Sequence, residues 1–396
     1  MITVVGGVYA ERCVEPHWDD VYGSAGRAAA AISGSVETVR LITYRATDIA
    51  DGLDSLQSAY GLAIEGPQVA QGIGFDYMHS LADPRISPRP DAIFQNDPLE
   101  VTDDIVLRFG MLEGTAKVTA GRAIYDPQSA FDPRPFEENG SQAEHLALIL
   151  NRLEASRFTN NPDPEKAVDT LLADGKAEVV ILKMGGRGAL VATNDGRQMI
   201  PAYKSESVWK IGSGDVFSAA FALYWGVQQR EAIEAAHLAS RATSYYCGTR
   251  ALPIPSADGL LQLNSEPVSP GSGRIYLAAP FFNLAERWIV EEVRNQLLHM
   301  GVDVFSPIHD VGIGSAQEVA KRDLAGLGDC KAVLAILNGG DAGTIFEVGY
   351  AVAKGIPVVA LAQNMRPEDV KMPEGTGCLI VGDMVSAVYH AVWALR

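Results

Sequence analysis

The chain has 396 residues, of which 47% are hydrophobic and 20% are charged, a composition typical of globular proteins with two or three domains. The formal net charge of −17 argues against a nucleic-acid or anionic membrane partner, because binding to those surfaces requires clustered lysines and arginines. The four cysteines lack C-x-x-C spacing, and neither a signal-peptide pattern nor a membrane-spanning apolar run occurs, so the sequence predicts free thiols in a cytoplasmic protein.

The first part of the chain alternates predicted strands with predicted helices, which indicates an α/β fold. The predicted strands are 2–5, 36–44, 105–109, 116–120, 123–125 and 179–184, and the predicted helices are 23–32, 141–153 and 166–174. Residues 65–98 interrupt this alternation with prolines, glycines and scattered aromatic residues. We expect them to form strands and loops that shape a pocket or a lid.

A glycine turn at residues 210–221 is the most informative motif of this part. Its glycines open a predicted helix whose first turn carries Asp215. The free backbone N–H groups of such a turn bind anions, and an acid beside them can accept the proton of a hydroxyl that attacks a phosphoryl group. An aspartate near a helix start is also an ordinary helix stabiliser, so the motif alone leaves both interpretations open.

Three segments resemble the ribokinase/PfkB superfamily of sugar and nucleoside kinases, and the likeness spans roughly residues 1–263. They are residues 183–189, residues 212–217 with the sequence Gly-Ser-Gly-Asp-Val-Phe, and residues 247–253. The resemblance implies a ribokinase-like fold, Asp215 as the catalytic base, and ATP with Mg²⁺ as cofactors. The residues that it implies for nucleotide binding all lie in glycine turns: Gly212, Ser213, Gly214, Gly185 and Gly188.

The first part also departs from the pattern of that family. Trp209 stands where the family usually has an aspartate before its glycines, and Asn160 and Asp163 only approximate its N-x-x-E motif near the metal. Glu11 is expected to replace the family's substrate-holding aspartate. Arg27 occupies the helix position where an asparagine commonly contacts the sugar. Glu11 and Arg27 are therefore candidate substrate-binding residues, and no residue is assigned as a metal ligand.

After residues 264–273, which have the composition of an exposed linker, the alternation of strands and helices begins again. The predicted strands are 274–279, 302–306, 332–337, 357–362 and 378–381, and the predicted helices are 284–300, 316–327, 344–354 and 384–395. This spacing predicts a flavodoxin-like, doubly wound parallel sheet. No dinucleotide-binding G-x-G-x-x-G motif follows the first of these strands.

Two acids flank the turn that follows the third of these strands. Asp341 lies in the loop and Glu347 on the next helix, in the crevice where open α/β sheets bind ligands. The positive end of the helix dipole is expected to favour the ionised, nucleophilic form of a carboxylate there. Apolar residues on both sides of Glu347 favour a functional role over a solvated helix face.

Residues 276–282, 321–324 and 341–351 resemble the nucleoside 2-deoxyribosyltransferase family, which includes deoxynucleotide N-hydrolases. The resemblance implies Glu347 as the nucleophile at the sugar anomeric carbon, with Asp341 protonating or holding the leaving base and Asp323 positioning base or sugar. The implied pocket needs no cofactor, and its lining residues are Tyr276, Phe281, Phe282 and Gly343. A neighbouring subunit often completes the pocket in that family, so a homo-oligomer is expected.

The sequence thus predicts a bifunctional enzyme of nucleoside metabolism, with a kinase domain at 1–263, a linker at 264–273 and a deoxyribosyltransferase-like domain at 274–396. Its expected partners are small-molecule nucleosides, nucleotides and sugars. The alternative is a nucleotide N-hydrolase whose PfkB-like half binds or regulates without catalysis. The presence of Asp215, Asp341 and Glu347 together disfavours a pure nucleotide sensor. Whether the sugar passes to a second base or to water stays open.

Overall fold

The computed structural model describes residues 1–129 and 132–395. The chain forms two compact units, which we call unit 1 (residues 1–205 and 209–267) and unit 2 (residues 206–208 and 268–396). The predicted linker is divided between the two units after residue 267. Arg396, the last residue of the predicted second domain, lies outside the described residues.

Unit 1 is built from strands and helices in alternation. Its strands are β1 (Ile2–Val5), β2 (Ala10–Glu15), β3 (Trp18–Val21), β4 (Val39–Ile42), β5 (Arg45–Ala46), β6 (Ala63–Glu65), β7 (Gln68–Val69), β8 (Gly74–His79), β9 (Arg85–Ser87), β10 (Leu99–Phe109), β11 (Ala116–Asp126), β12 (Gln142–Asn151), β13 (Val179–Lys183), β14 (Ala189–Thr193), β15 (Gly196–Ile200) and β16 (Ala202–Tyr203). Its helices are α1 (Gly23–Ile32), α2 (Ala50–Tyr60), α3 (Arg152–Thr159), α4 (Pro164–Ala173), α5 (Ser213–Phe221), α6 (Ala232–Thr249) and α7 (Ala257–Gln262). The short strand β17 (Pro267–Val268) lies where the chain passes from unit 1 to unit 2.

The main sheet of unit 1 has the strand order β15-β14-β13-β12-β11-β10-β1-β4-β6. Its strands run parallel from β13 to β6, and β14 and β15 add an antiparallel edge. Helices α1, α5 and α6 pack together in one buried core cluster, while α3 and α4 contribute to another. The start of α5 and the inner face of α1 are thereby brought into contact.

One expectation for unit 1 is wrong: the helix predicted at 141–153 is the strand β12. Its apolar run from Leu146 to Leu150 is buried, because β12 lies inside the sheet between β11 and β13. A strand buried on both faces shows a continuous apolar run, which periodicity alone does not separate from a buried helix. The short strands expected at 105–109, 116–120 and 123–125 are parts of the longer strands β10 and β11.

Residues 65–98 form strands and loops, as expected. Strands β8 and β9 join β2 and β3 in a second sheet with the order β3-β2-β8-β9. The aromatic rings of Phe75 and Tyr77 on β8 lie 6.4 Å apart, and Tyr9, just before β2, lies 5.2 Å from Phe75. This small sheet therefore carries a row of aromatic side chains.

Unit 2 has a five-stranded parallel sheet with the order β19-β18-β20-β21-β22, as the flavodoxin-like prediction requires. Its strands are β18 (Arg274–Ala278), β19 (Asp303–Phe305), β20 (Ala332–Ile336), β21 (Val358–Leu361) and β22 (Leu379–Val381). Its helices are α8 (Leu284–His299), α9 (Pro307–Asp310), α10 (Ala316–Gly328), α11 (Ala342–Ala353), α12 (Pro367–Gly375) and α13 (Met384–Trp393). None of the helices in the described ranges has the length and apolar character needed to cross a membrane.

Candidate active sites

In unit 2, a tyrosine on the sheet contacts the predicted nucleophile on a neighbouring helix. Tyr276 lies on β18 and is fully buried, and its hydroxyl donates a 2.7 Å hydrogen bond to Oε1 of Glu347. Strand β18 pairs with β20, and the chain leaves β20 through a glycine turn that leads into α11. The strand order therefore brings the two side chains together, and the hydrogen bond fixes the position of the Glu347 carboxyl.

The surroundings of Glu347 favour its protonated form more than the sequence suggested. The pKa of Glu347 is raised from 4.5 to about 7: burial raises it most, the hydrogen bond from Tyr276 lowers it, and the charges of Asp323 and Asp341 also raise it. The expectation that the helix dipole would favour the ionised form is wrong, because Glu347 lies in the second turn of α11 and the dipole acts mainly within the first. Near neutral pH, this carboxyl can therefore change its charge.

Asp323, on α10, is the second acid of this cluster. Its side chain is buried, its Oδ1 has no hydrogen-bond partner among the described residues, and burial raises its pKa while Arg322 lowers it. The charge of Asp323 also raises the pKa of Tyr276, so the two groups interact. A buried acceptor without a partner costs free energy that a ligand donor would recover. Asp323 therefore offers an open acceptor to a ligand.

Asp341 has a structural role in addition to the role predicted for it. It is the N-cap residue of α11, and its Oδ2 accepts hydrogen bonds from the backbone N–H of Thr344 at 2.7 Å and from Oγ1 of Thr344 at 2.9 Å. Such a cap contributes about 1 kcal/mol. A Cβ added at Gly343 would lie 3.1 Å from this same oxygen, so the glycine leaves room for the cap.

The two predicted phenylalanines of the pocket lining follow β18 directly, and the second of them is open to solvent. Phe281 and Phe282 follow β18, with their rings 5.2 Å apart, and Phe282 is 74% exposed. The apolar neighbours of Glu347 do not enclose it either, since Ile345 and Phe346 are 42% and 61% exposed. Of the predicted site residues, Tyr276, Glu347, Asp323 and Asp341 are thus brought together electrostatically, while Phe281 is half-buried and Phe282 is exposed.

The hydrogen bond from Tyr276 leads to a test of this cluster. Since that bond lowers the pKa of Glu347, Tyr276→Phe is expected to raise the pKa. If ionised Glu347 is required, the rising limb of kcat/KM for base release moves to higher pH and the rate near pH 7 falls. The control is Tyr350→Phe on α11, whose ring contacts Lys354 at 5.4 Å. An unchanged pH profile in Tyr276→Phe would show that this hydrogen bond does not set the pKa that controls the reaction.

In unit 1, helix α5 begins at the predicted glycine turn. Gly212 is its N-cap residue with a φ of +75°, in the left-handed region that glycine adopts without strain. Lys210 Nζ donates a 2.7 Å hydrogen bond to Oγ of Ser213, the first residue of α5, and a Cβ added at Gly214 would lie 3.4 Å from Nζ of Lys183. Two lysines therefore flank the positive end of a helix dipole, which favours a bound anion.

Asp215, the predicted base, is buried and takes part in an ion pair. Its Oδ2 accepts from Nη1 of Arg27 at 3.1 Å, and its Oδ1 accepts from Nε2 of Gln128 at 2.6 Å. Arg27 also pairs with Glu11, through Nη1 to Oε1 at 3.1 Å and through Nη2 to Oε2. The three residues that the sequence assigned to catalysis and substrate binding are thus bound to one another.

A second charged cluster in unit 1 was not predicted from the sequence. Lys183 Nζ donates to Oδ2 of Asp126 at 2.5 Å, and Oγ of Ser218 donates to the same oxygen at 2.7 Å. Burial raises the pKa of Asp126, and burial together with the charge of Asp126 raises the pKa of Glu154 to about 7. Two buried carboxyl groups close together therefore lie beside the lysine of the nucleotide motif.

The spacing of Asn151 and Glu154 was a signal for this cluster. These residues form an N-x-x-E sequence at the end of β12, and they cap α3 reciprocally, with the Asn151 N–H donating to Glu154 at 2.8 Å. Asn160 and Asp163, which were expected to approximate the N-x-x-E motif, lie at helix ends instead: Asn160 terminates α3 with a φ of +52°, and Asp163 caps α4. Because residues 141–153 were expected to form a helix, the match of Asn151 and Glu154 to the N-x-x-E motif was missed.

The carboxyl oxygens of this cluster fit a hard cation. Oδ1 of Asp126 is buried without a hydrogen-bond partner among the described residues, and Mg²⁺ is commonly held by one or two carboxylates together with phosphates and waters. Within residues 1–129 and 132–395, no three or more His, Cys, Asp or Glu residues group so as to hold a metal ion. Asp126 and Glu154 therefore suit a cation that arrives with a nucleotide.

The predicted nucleotide turn after β13 is a tight 3₁₀ turn, Gly185–Arg187. Gly185 and Gly188 both have positive φ, of +59° and +89°. A Cβ added at Gly188 would lie 2.0 Å from the carbonyl oxygen of Ile200 on β15, so this position requires glycine for backbone packing. A role in nucleotide binding stays a prediction for both glycines.

Two family models match the chain. Residues 131–256 match the model described as pfkB family carbohydrate kinase, and residues 275–378 match the model described as Nucleoside 2-deoxyribosyltransferase. Both resemblances drawn from the sequence are confirmed. Among curated proteins, the chain is similar to ATP-dependent 6-phosphofructokinase isozyme 2 of Mycobacterium tuberculosis, with 26% identity over 163 residues that cover 38% of this chain and 48% of that protein. The chain spans about half the length of the curated relatives it matches.

Solved structures are similar to this chain in fold. A structure from Agrobacterium tumefaciens, provisionally named a ribokinase, has 15% identity and a TM-score of 0.50, and the match covers 66% of this chain and 96% of that chain. A ribokinase from Thermotoga maritima has 18% identity and a TM-score of 0.48 over 66% of this chain and 99% of that chain. The first likeness confirms the ribokinase-like fold predicted for the N-terminal part.

Proposed function

We propose that this chain, which joins a segment similar to pfkB family carbohydrate kinases to a segment similar to nucleoside 2-deoxyribosyltransferases, is an enzyme of nucleoside metabolism. Its unit 2 cleaves the N-glycosidic bond of a nucleoside or nucleotide. The observation that supports this function best is the carboxyl of Glu347, which accepts a 2.7 Å hydrogen bond from Tyr276 and interacts with Asp323, whose Oδ1 has no partner among the described residues. A group of acids of this kind suits a sugar and a neutral base.

The proposed reaction proceeds in two displacements. In the first, an oxygen of ionised Glu347 bonds to the anomeric carbon while the bond from that carbon to the base nitrogen breaks, and its electron pair stays on the base. The leaving base takes a proton from an acid, the role predicted for Asp341. In the second, a water or another base attacks the anomeric carbon, its proton passes to the acid that was deprotonated in the first step, and Glu347 leaves as a carboxylate. Water gives hydrolysis, and a second base gives transfer.

Tyr276 and Asp323 support this chemistry through position and charge. The buried Tyr276 hydroxyl orients the nucleophile, and the open acceptor of Asp323 is placed to receive a hydrogen bond from the sugar or the base. We further propose a homo-oligomer, because Phe282 and Phe346 are exposed beside the cluster and would be covered by a neighbouring subunit. The exposed rings would then line the pocket, as predicted for Phe281 and Phe282.

One experiment tests the reaction class. The protein is incubated with a panel of nucleosides and 5′-nucleotides, with and without a free acceptor base, and the products are separated by chromatography. Free base alone indicates a hydrolase, and an exchanged nucleoside indicates a transferase. If neither forms from any member of the panel, the proposed function of unit 2 is wrong. Repeating the panel with ATP and Mg²⁺ would also reveal phosphate esters made by unit 1.

Two functions are considered for unit 1. In the first, it phosphorylates a sugar or nucleoside hydroxyl from ATP, with Mg²⁺ neutralising the phosphates when bound and Asp215 accepting the hydroxyl proton. In the second, it binds the nucleotide without transferring phosphate. The contacts of Asp215 with Arg27 and Gln128 favour the second, because each oxygen of this carboxylate already accepts a hydrogen bond from a protein side chain. Both functions use the anion-binding start of α5.

Lys210 provides a test of that anion site. Lys210→Met removes a cation from the start of α5, so binding of a non-hydrolysable ATP analogue in the presence of Mg²⁺ should weaken by about tenfold. Isothermal titration calorimetry on the full chain measures the change. Lys166→Met removes a surface lysine of α4 and is the control. Equal affinities in the two variants would show that Lys210 takes no part in binding the nucleotide.

A further inference from the structure

The strongest feature of unit 1 outside the proposed reaction is the burial of Arg27. Its side chain is 1% exposed, yet it carries a full positive charge on the inner face of α1. Its Nη1 lies 3.1 Å from Oε1 of Glu11 and 3.1 Å from Oδ2 of Asp215. One nitrogen therefore bridges the residue assigned to hold the substrate and the residue assigned as base.

The carboxylates of Glu11 and Asp215 both accept hydrogen bonds from protein side chains. Glu11 receives both terminal nitrogens of Arg27, one on each oxygen. Asp215 receives Arg27 on Oδ2 and Gln128 on Oδ1, and Gln128 in turn accepts from Oγ of Ser24. Each oxygen of both carboxylates thus accepts a hydrogen bond from a protein side chain, although Nε of Arg27 is buried without a partner among the described residues. A buried network of charged groups rigidifies a core, whereas a substrate site keeps groups open for its ligand.

The guanidinium is also packed in place. The Gly212 backbone lies against it so closely that an added Cβ would be 2.1 Å from Cδ and 2.4 Å from Cζ of Arg27. On another side, Cζ lies 5.1 Å from the centre of the Tyr22 ring. The glycine turn that should approach a phosphate thus approaches the side chain of Arg27 as well.

We propose that the side chain of Arg27 occupies the position in unit 1 where the hydroxyl of a phosphate-accepting substrate would bind. Asp215 then stabilises the fold and does not act as a base. This inference rests on the second function proposed above, in which unit 1 binds a nucleotide without transferring its phosphate. The occupant takes the place of the substrate hydroxyl between Glu11 and Asp215. The anion site at Lys210 and Ser213 lies outside this ion-pair network and stays available to the nucleotide.

The energetics of buried ion pairs make this arrangement hard to displace. Removing one partner of such a pair leaves an uncompensated buried charge, which is strongly unfavourable. An acceptor sugar would have to replace three hydrogen bonds to Arg27 with neutral hydroxyls, while the guanidinium kept no counter-charge. A catalytic acid generally shows the opposite behaviour, since its replacement tends to leave stability unchanged or to increase it.

The two roles predict opposite changes in stability when Asp215 is replaced. This difference can be tested without knowing which substrate would accept the phosphate. Asp215→Asn, Arg27→Met and the double variant are made in the full chain, and the urea midpoint is followed by the fluorescence of Trp18 and Trp209, whose rings lie 5.4 Å apart. Asp215→Asn should lower the midpoint when Arg27 is present, and should leave it unchanged or raise it when Arg27 is replaced. Asp51→Asn, an exposed acid in the first turn of α2, controls for the helix dipole.

The urea midpoint of Asp215→Asn alone tests the structural role of Asp215, even if Arg27→Met does not fold. A midpoint of Asp215→Asn equal to or above wild type would overturn the proposal. So would a phosphate ester formed by the wild type from ATP, Mg²⁺ and ribose, uridine or adenosine and lost in Asp215→Asn. Binding of a non-hydrolysable ATP analogue is measured separately by calorimetry. If the analogue does not bind while the stability pattern holds, nucleotide binding fails as the function of unit 1 and the structural role of Arg27 stands.

Discussion

Replacing Glu347 with alanine is expected to reduce base release by at least about four orders of magnitude, because loss of a nucleophile removes the covalent pathway. Loss of one binding contact, at about 1–3 kcal/mol, is too small to produce this effect. Initial rates on the best substrate of the nucleoside panel measure it. Glu347→Gln should be equally inactive, although it keeps an oxygen that can accept from Tyr276.

The pKa of Glu347 adds a check on fold and mechanism. The folded-state pKa of Glu347 is raised from 4.5 to about 7. The proton on its carboxyl therefore increases the free energy of unfolding fully below pH 4.5, and this contribution is lost as pH rises through 7. Glu347→Gln should therefore be at least as stable as wild type at pH 8, which excludes misfolding as the cause of inactivity. In the wild type, kcat/KM should rise with pH through about 7.

Covalent trapping identifies the nucleophile directly. A 2-fluoro-2-deoxy sugar analogue slows the second displacement, so the glycosyl group should remain bound to the peptide that contains Glu347 and be seen by mass spectrometry. Substantial activity in Glu347→Ala, or an adduct on another peptide, would show that the carboxyl of Glu347 is not the attacking group.

Replacing Asp323 with asparagine is expected to slow base release by about 10²–10⁴-fold, the range for a group that positions or exchanges a proton in the transition state. The variant keeps the size of the side chain but loses its charge and one acceptor. Because Asp323 is buried with Oδ1 unpartnered, its removal should not destabilise the fold, and the melting temperature should be equal to or above that of wild type.

The matched control is Asp329→Asn, which changes an exposed aspartate at the end of the same helix. It should leave both rate and stability unchanged. The charge of Asp323 raises the pKa of Glu347, so Asp323→Asn should also move the rising limb of kcat/KM to lower pH. A fall in rate that comes only from protein unfolding, with no change in the pH profile, would assign Asp323 to packing.

The predicted catalytic acids of the two units differ in how their hydrogen bonds are satisfied. In unit 1, the contacts of Asp215 and Glu11 are supplied by the protein itself, through Arg27 and Gln128. In unit 2, Asp323 keeps an unpartnered oxygen, and Glu347 has a pKa near neutrality. Open acceptors and shifted pKa values are typical of sites that bind and react, and satisfied networks are typical of cores. The contrast applies only to the predicted catalytic acids, because unit 1 also holds an unpartnered oxygen on Asp126 and a raised pKa, of about 7, on Glu154.

The sequence by itself determined the features that depend on neighbouring residues. The glycine turn before Asp215 opens α5 as predicted, since Gly212 takes a positive φ that other residues avoid. The five strands and four helices predicted for unit 2 are present in the predicted order, because each buried strand and each amphipathic helix has its own periodicity, whereas the helices α9 and α12 were not predicted. The two family resemblances could also be recognised from the sequence, since their motifs are short and local.

Only the tertiary structure decided which side chains meet. Tyr276 and Glu347 are 71 positions apart, and Arg27 and Asp215 are 188 positions apart, so no local pattern predicts either contact. The pKa of Glu347 was expected in the wrong direction for the same reason, because burial by distant residues outweighs a helix dipole that fades after the first turn. The strand β12 was mistaken for a helix because its neighbours in the sheet, and not its own sequence, bury both of its faces.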